Sequence, residues 1–304
     1  MADEQPHPVV VTGANGFVGA RTCAELITRG ATVRAVVRRA GAAGGIDGVE
    51  ERVGDFADPR FAAEVVAGAV GVVTTVHPMG SDRATQHRVG VEGTPVIARA
   101  ALQAGVARFV HMSTAGVYDR TAGVGDVDES AALVGDDAGD YPVTKRDTDA
   151  ALAEVDGLTR ILVRPPAILG PGATSIWNTL RPNDIEKNES ARHTVADKTF
   201  AWIHVDDLAV LLADLATGRI LSADDPERGP VDGGCTPVNA AGGPATQRDY
   251  YGTVTRAVGV EPVYEDEPAW TGQIVADRAG RWGWTPRVTL DQALDELASG
   301  LKAR

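Results

Sequence analysis

Cysteine, aromatic residues and long apolar runs are all scarce in this chain. Only Cys23 and Cys235 occur in 304 residues; with no C-x-x-C pair and no Cys/His cluster, neither a disulfide framework nor a metal site is suggested. Cys23 falls inside a helical stretch and reads as a buried filler. No apolar run approaches the ~20 residues needed to cross a bilayer. Basic residues are outnumbered, 29 Lys and Arg against 42 Asp and Glu, for a net charge of −13. That balance argues against the basic surface that nucleic-acid phosphates or an anionic membrane require. The opening "MADEQPHP" lacks the basic and apolar regions of a signal peptide. These absences predict a cytoplasmic protein with no nucleic-acid, membrane or metal partner.

Glycine and small apolar residues are abundant, and they alternate. In "VVVTGANGFVGA", Val9 to Ala20, the run Val9-Val10-Val11-Thr12 shows no polar alternation and reads as a strand buried on both faces. Gly13 then permits a sharp turn, Gly16 lets backbone N–H groups approach an anion, and Gly19 lets a helix pack closely. The spacing G-x-x-G-x-x-G is one residue longer than the common dinucleotide fingerprint, and a glycine-eased strand-to-helix turn is the alternative reading. Strands over 32–37, around Val53, over 70–76, 108–114 and 160–169 are predicted between helices over 17–29, 60–67 and 86–104 and one following Tyr141. This pattern predicts an α/β fold, a Rossmann-type doubly wound parallel sheet over residues 1–170. Residues 201–218 rejoin it through the helix of "HVDDLAVLLADLATG", with Asp206 or Asp207 as N-cap. Residues 171–200 and 219–304 hold several prolines and four of the five tryptophans. They predict a smaller, irregular C-terminal substrate lobe ending in an amphipathic helix over 290–301.

Tyr141 and Lys145, in "YPVTK", stand four apart and share one helix face. An ammonium beside a phenol favours phenolate, so the pair predicts a general acid or base working near neutrality. Ser113 and Thr114 fall at the carboxyl end of a predicted strand, where open α/β sheets bind their ligands; alternatively they close the strand with local hydrogen bonds. The acidic stretch 125–140 directly before Tyr141 reads as a solvated loop, placed where a lid could sit.

Taken in order, "TGANGFVG", "GDF", "VEGT", "STAGVY", "YPVTK", "RPPAILGPG" and "HVDDLA" resemble the extended short-chain dehydrogenase/reductases, the NAD-dependent epimerase/dehydratase family. The resemblance implies an NAD(P)-dependent oxidoreductase in which Tyr141 exchanges the substrate proton, Lys145 binds the nicotinamide ribose, and Thr114, with Ser113 beside it, orients the substrate oxygen. It assigns the pyrophosphate to the turn of Gly13, Asn15, Gly16, Phe17, Val18 and Gly19, and the adenine to Asp55 and Phe56. The ribose and nicotinamide side falls to Val76, Pro165, Ala167 and Ile168. A homodimer is common in that family.

Arg38 and Arg39 end the second strand, with no acid before Asp47. An acid there suits the ribose hydroxyl of NAD and an arginine the 2′-phosphate of NADP, so NADP is expected, with NAD as second choice. Gly90 stands where many members carry an asparagine of the proton relay. "DKTFAWIHVDD" brings Phe200 and Trp202 where nucleotide-sugar enzymes usually carry an arginine. A small neutral or lipophilic carbonyl/alcohol substrate is therefore expected, with His77, Ser113, Trp177, Phe200 and Trp202 as candidate substrate contacts and Trp270 as a further aromatic. Each aromatic reads equally as core. The rival readings are a nucleotide-sugar epimerase or dehydratase holding NAD tightly, and a non-catalytic dinucleotide sensor.

Overall fold

A computed structural model describes residues 8–44 and 48–303; the first seven residues and Asp47, read above for targeting and cofactor choice, lie outside the described residues. The apolar runs form β1 (Val9–Thr12), β2 (Val33–Val37), β3 (Val49–Val53), β4 (Gly71–Thr74), β5 (Arg108–Met112) and β6 (Thr159–Arg164), connected through α1 (Phe17–Thr28), α2 (Pro59–Val66), α3 (Arg83–His87), α4 (Thr94–Gln103) and α5 (Asp140–Ala153). Their pairing is parallel throughout, and the sheet order is β6-β5-β4-β1-β2-β3 with one further strand beside β6. The order reverses between β1 and β4, so the crevice outside the carboxyl ends of these two strands is where such a sheet binds ligands. Period-2 geometry sends Val9 and Val11 to one face and Val10 to the other.

Later elements complete the chain: β7 (Ala167–Leu169), α6 (Arg181–Lys187), β8 (His193–Val195), β9 (Trp202–His204), α7 (Val205–Ala216), β10 (Cys235–Asn239), α8 (Gln247–Val258), β11 (Val263–Glu265), α9 (Asp277–Arg281) and α10 (Leu290–Lys302). α7 joins α1 in covering one sheet face, and α2, α4 and α5 cover the other. α6, α8 and α10 enclose a separate lobe core around Ile185, Phe200, Trp202 and Tyr250. Among the described residues no helix is long and apolar enough to cross a membrane.

Three expectations change, and a fourth gains a detail. The strand predicted over 160–169 is two strands: Pro165 and Pro166 lack the N–H a ladder needs, and beyond them β7 leaves the main sheet to pair with β9. The seventh strand of the sheet, β10, comes from residues read as lobe and pairs with β6. His204, not an aspartate, caps α7, its Nδ1 accepting from the Asp206 backbone N–H at 3.3 Å; Asp207 instead turns inward and accepts from Val288 N–H at 2.9 Å. The acidic stretch before Tyr141 is largely exposed, as expected, and is anchored at one point, where the buried Val127 exchanges backbone hydrogen bonds with Gln273 and Val275.

Gly90 sits in a π turn, Arg88–Gly93, that joins α3 to α4. A Cβ there would lie 2.7 Å from Thr148 Oγ1 on α5, so with Thr148 in place an asparagine has no room.

At the carboxyl end of β6, Arg164 meets Asp149 of α5 in the protein interior: Nε and Nη2 lie 3.1 and 3.0 Å from Oδ2, and the two side chains are only 6% and 4% exposed. Burial pushes the Asp149 carboxyl up, and Arg164, the Ser113 hydroxyl and Lys145 hold it down. Removing one partner of a buried pair leaves the other charge uncompensated. Arg164→Met is therefore expected to lower the unfolding free energy by about 3–5 kcal/mol, measured by urea denaturation, and the double variant with Asp149→Leu is expected to recover much of the loss.

Candidate active site

The site begins where β1 turns into α1. Gly13 has φ +70°, and a Cβ on it would lie 2.6 Å from Thr75 Oγ1; a Cβ on Gly19 would lie 2.1 Å from the Gly13 carbonyl oxygen. Both positions therefore require glycine, and the turn is drawn tight against the helix. No side chain caps α1 at Gly16, which leaves the first-turn N–H groups and the positive end of the helix dipole open to an anion. These residues fit a dinucleotide pyrophosphate.

From that turn a cavity of about 670 Å³ runs between the sheet edge and the lobe, within the usual range for small-molecule sites. Gly16 to Gly19, Thr114, Tyr141, Lys145, Ala167 and Ile168 line its sheet side, and His77, Trp177, Phe200 and Trp270 line the rest. The residues expected around a substrate therefore largely converge on one space. Gly13 and Asn15 belong to the same turn, and Val76 stands against Gly13. Pro165 contributes its carbonyl, which accepts from Ala115 N–H at 2.8 Å. Asp55 and Phe56 follow β3 further along the same sheet edge, where Asp55 is exposed and Phe56 packs on the core. Arg38 and Arg39 are exposed just beyond β2.

Two expected contacts are turned elsewhere. Ser113 donates to Asp149 Oδ2 at 2.9 Å and is buried, so its hydroxyl serves the interior ion pair. Trp202 is buried in the lobe and donates to the Gly243 carbonyl at 2.9 Å, which makes it core.

Lys145 is fully buried, and its ammonium donates to the Met112 carbonyl at 2.6 Å. Desolvation pulls its pKa down to about 8, with Asp149 acting in support of the charge. The expectation that Lys145 draws Tyr141 towards phenolate is not met in this geometry. Burial pushes the phenol up, against a hydrogen bond with Thr114, so Tyr141 keeps its proton at neutral pH. Thr114 accepts from Gly116 N–H at 3.0 Å and faces the cavity.

His77 stands edge-on to Tyr141, ring centroids 4.9 Å apart at 84°. Its Nε2 lies 2.9 Å from Gln86 Oε1, while the Gln86 amide nitrogen donates to the Ser81 carbonyl at 2.8 Å. Gln86 therefore accepts, and the imidazole carries its proton on Nε2. Burial first, then Lys145, lower the His77 pKa to about 4, so it forms a neutral wall. On the lobe side Phe200 stacks on Tyr250 at 4.5 Å, Trp177 stands edge-on to Phe200 at 5.2 Å, and Tyr250 OH donates to the Trp177 carbonyl at 2.7 Å. This wall is rigid because its polar tip is tied down.

Arg120, Met79, Met112, Lys198 and Gln247 also line the cavity, and the sequence reading passed over them. Arg120 falls two residues after "STAGVY", which was the available signal; the others carry none in type or spacing.

Residues 13–204 match the model of a family described as NAD(P)H-binding. The chain is 30% identical over 230 residues to 4-hydroxy-2-methyl-3-oxo-4-farnesyl-3,4-dihydroquinoline-1-oxide ketoreductase of Stigmatella aurantiaca, covering 72% of this chain and 64% of that protein. It is 33% identical over 169 residues to sterol demethylase protein B of Methylococcus capsulatus, covering 53% of this chain and 52% of that protein. The chain thus spans between about half and two thirds of the length of these curated relatives. The solved UDP-glucose 4-epimerase of Thermotoga maritima, with UDP-glucose, shares the fold at a TM-score of 0.75 and 17% identity, over 97% of this chain and 99% of that one. The chain therefore belongs to the NAD(P)H-binding family, among the extended short-chain dehydrogenase/reductases.

Proposed function

We propose that this chain is an NADP-dependent reductase of a small, largely apolar carbonyl compound. The observation that carries this reading is a protonated phenol, Tyr141, beside the hydroxyl of Thr114 in a cavity continuous with the glycine turn. The dinucleotide, when bound, supplies the hydride. The backbone of Gly16 to Gly19 holds its pyrophosphate, Lys145 its ribose, and Arg38 and Arg39 its 2′-phosphate. Neither arginine has an ion-pair or side-chain hydrogen-bond partner among the described residues.

Thr114 positions the substrate oxygen, and Tyr141 gives that oxygen its proton as negative charge develops there. A phenol that keeps its proton at neutral pH has that proton to give to the oxygen of a carbonyl undergoing reduction. The aromatic wall of Trp177 and Phe200 desolvates an apolar body and offers a sugar few hydrogen bonds. The names of the two curated relatives, which refer to a farnesylated quinoline oxide and to sterols, support a lipophilic substrate over a nucleotide sugar.

Tyr141→Phe is expected to lower kcat for carbonyl reduction by roughly 10²–10⁴-fold while NADPH still binds by calorimetry; unchanged turnover overturns the assignment. Below about pH 8 Lys145 carries its charge, and above it the charge is lost while Tyr141 remains protonated. The pH profile of kcat/KM is therefore expected to be level near neutrality and to fall above about pH 8, a limb that Lys145→Met removes. Replacing Arg38 and Arg39 together by alanine is expected to weaken NADPH binding roughly 10- to 100-fold, as for lost charge-assisted hydrogen bonds, and to leave NADH affinity within about threefold; calorimetry with both cofactors checks this.

A further inference from the structure

The cavity is charged opposite to the chain. Among the described residues three cations line it, Lys145, Arg120 and Lys198, and no aspartate or glutamate does, in a protein of net charge −13. Lys145 is spoken for by the Met112 carbonyl and the ribose. Arg120 is not spoken for. It lies in the loop after the short turn Ala115–Val117, half-buried, with Cζ 5.4 Å from the Trp270 ring. Trp270 is itself fixed, its indole N–H donating to the Gly125 carbonyl at 2.9 Å and its own carbonyl accepting from Thr199 N–H at 3.0 Å.

No hydrogen bond or ion pair joins the Arg120 guanidinium to any described residue. Every other sheltered arginine is matched: Arg164 to Asp149, Arg29 to Asp214, Arg278 to Glu227, and Arg108 and Arg160 to backbone carbonyls. Burial accordingly weakens the hold of Arg120 on its proton, with no acid opposing it. A guanidinium against an indole face keeps its N–H fork free at the edge, and that planar fork fits a carboxylate with two parallel hydrogen bonds. Aromatic and aliphatic groups, Trp177, Phe200 and Ile176, line the same cavity as this cation and Tyr141.

Resting on the reductase reading above, we infer that the substrate is an acid: its carboxylate pairs with Arg120 against Trp270 while its carbonyl meets Thr114 and Tyr141. This departs from the neutral substrate expected from the sequence. Lys198, exposed at the cavity wall, adds attraction for the incoming anion.

The test needs no turnover. With the dinucleotide at saturation, 4-phenylbutyrate and its neutral amide are titrated against tryptophan fluorescence. The acid is expected to bind about 10- to 100-fold more tightly than the amide, the range for a charge-assisted pair. That ratio is expected to collapse to within about threefold in Arg120→Gln and to be partly restored in Arg120→Lys. Equal or undetectable binding of acid and amide to the unaltered protein overturns the inference, with no variant required. So does acid binding that saturating dinucleotide abolishes, which gives the cation to the cofactor. Tight UDP binding that depends on Arg120 assigns the site to nucleotide phosphates and overturns the carboxylate. Failure of the two readings is separable: an acid preference without reduction of 3-benzoylpropionate counts against the reductase activity, and reduction without an acid preference counts against this inference.

Discussion

The buried pair of Arg164 and Asp149 is the contact on which the rest of the site depends. An ion pair held away from water survives when its polar atoms find further partners, and here all but Asp149 Oδ1, which is buried without one among the described residues, recruit the surroundings. Asp149 Oδ2 takes the Ser113 hydroxyl, and Arg164 Nη1 donates to Tyr118 OH at 2.9 Å. Tyr118 OH donates in turn to Asn239 Oδ1 at 2.9 Å, and Asn239 Nδ2 reaches the Val275 carbonyl at 3.0 Å. One charge pair thus joins α5, β6, β10, the loop after β5 and the lobe. Since adjacent residues of an extended backbone point to opposite sides, drawing Ser113 inward turns Thr114, at φ −161° and ψ 147°, out to the cavity. The same helix carries Lys145 one turn before Asp149, so the pair also sets where the ammonium lies.

Desolvation governs the chemistry within that frame. The same low-dielectric surroundings raise the Tyr141 phenol and lower Lys145 and His77, because each shift disfavours the charged form. The outcome is a proton-bearing phenol, a cation that is easily discharged and a neutral imidazole, an asymmetry suited to delivering a proton to a developing alkoxide. Against this, a guanidinium without an acid partner stands out, since charge is retained in such a place only where something compensates it.

Gly90 shows how the family pattern and the packing diverge. The chain keeps the "VEGT" element and the helix that carries it, but Thr148 of α5 fills the space where an asparagine side chain would start. The π turn carries Gly90 against Thr148, so contact between the two segments takes the place of a side chain at that position.

Local chemistry determined much of this protein from the sequence alone. Unalternated valine runs cannot be satisfied except between two helical layers, and Gly13 and Gly19 allow no Cβ, so the sheet, the turn and the Tyr141–Lys145 face were legible in residue type and spacing. What depended on distant partners was not. β10 joins the sheet through β6, more than 70 positions earlier. The Pro165-Pro166 break, the turn of Ser113 towards Asp149, and the place of Trp202 in the core follow from packing between segments far apart in the chain. The direction of the Tyr141 shift belongs to this second class, because the (i, i+4) spacing specifies a neighbour but not the water around it. So does Arg120, whose significance lies in the absence of a carboxylate around it, a property of the folded cavity that no stretch of sequence contains.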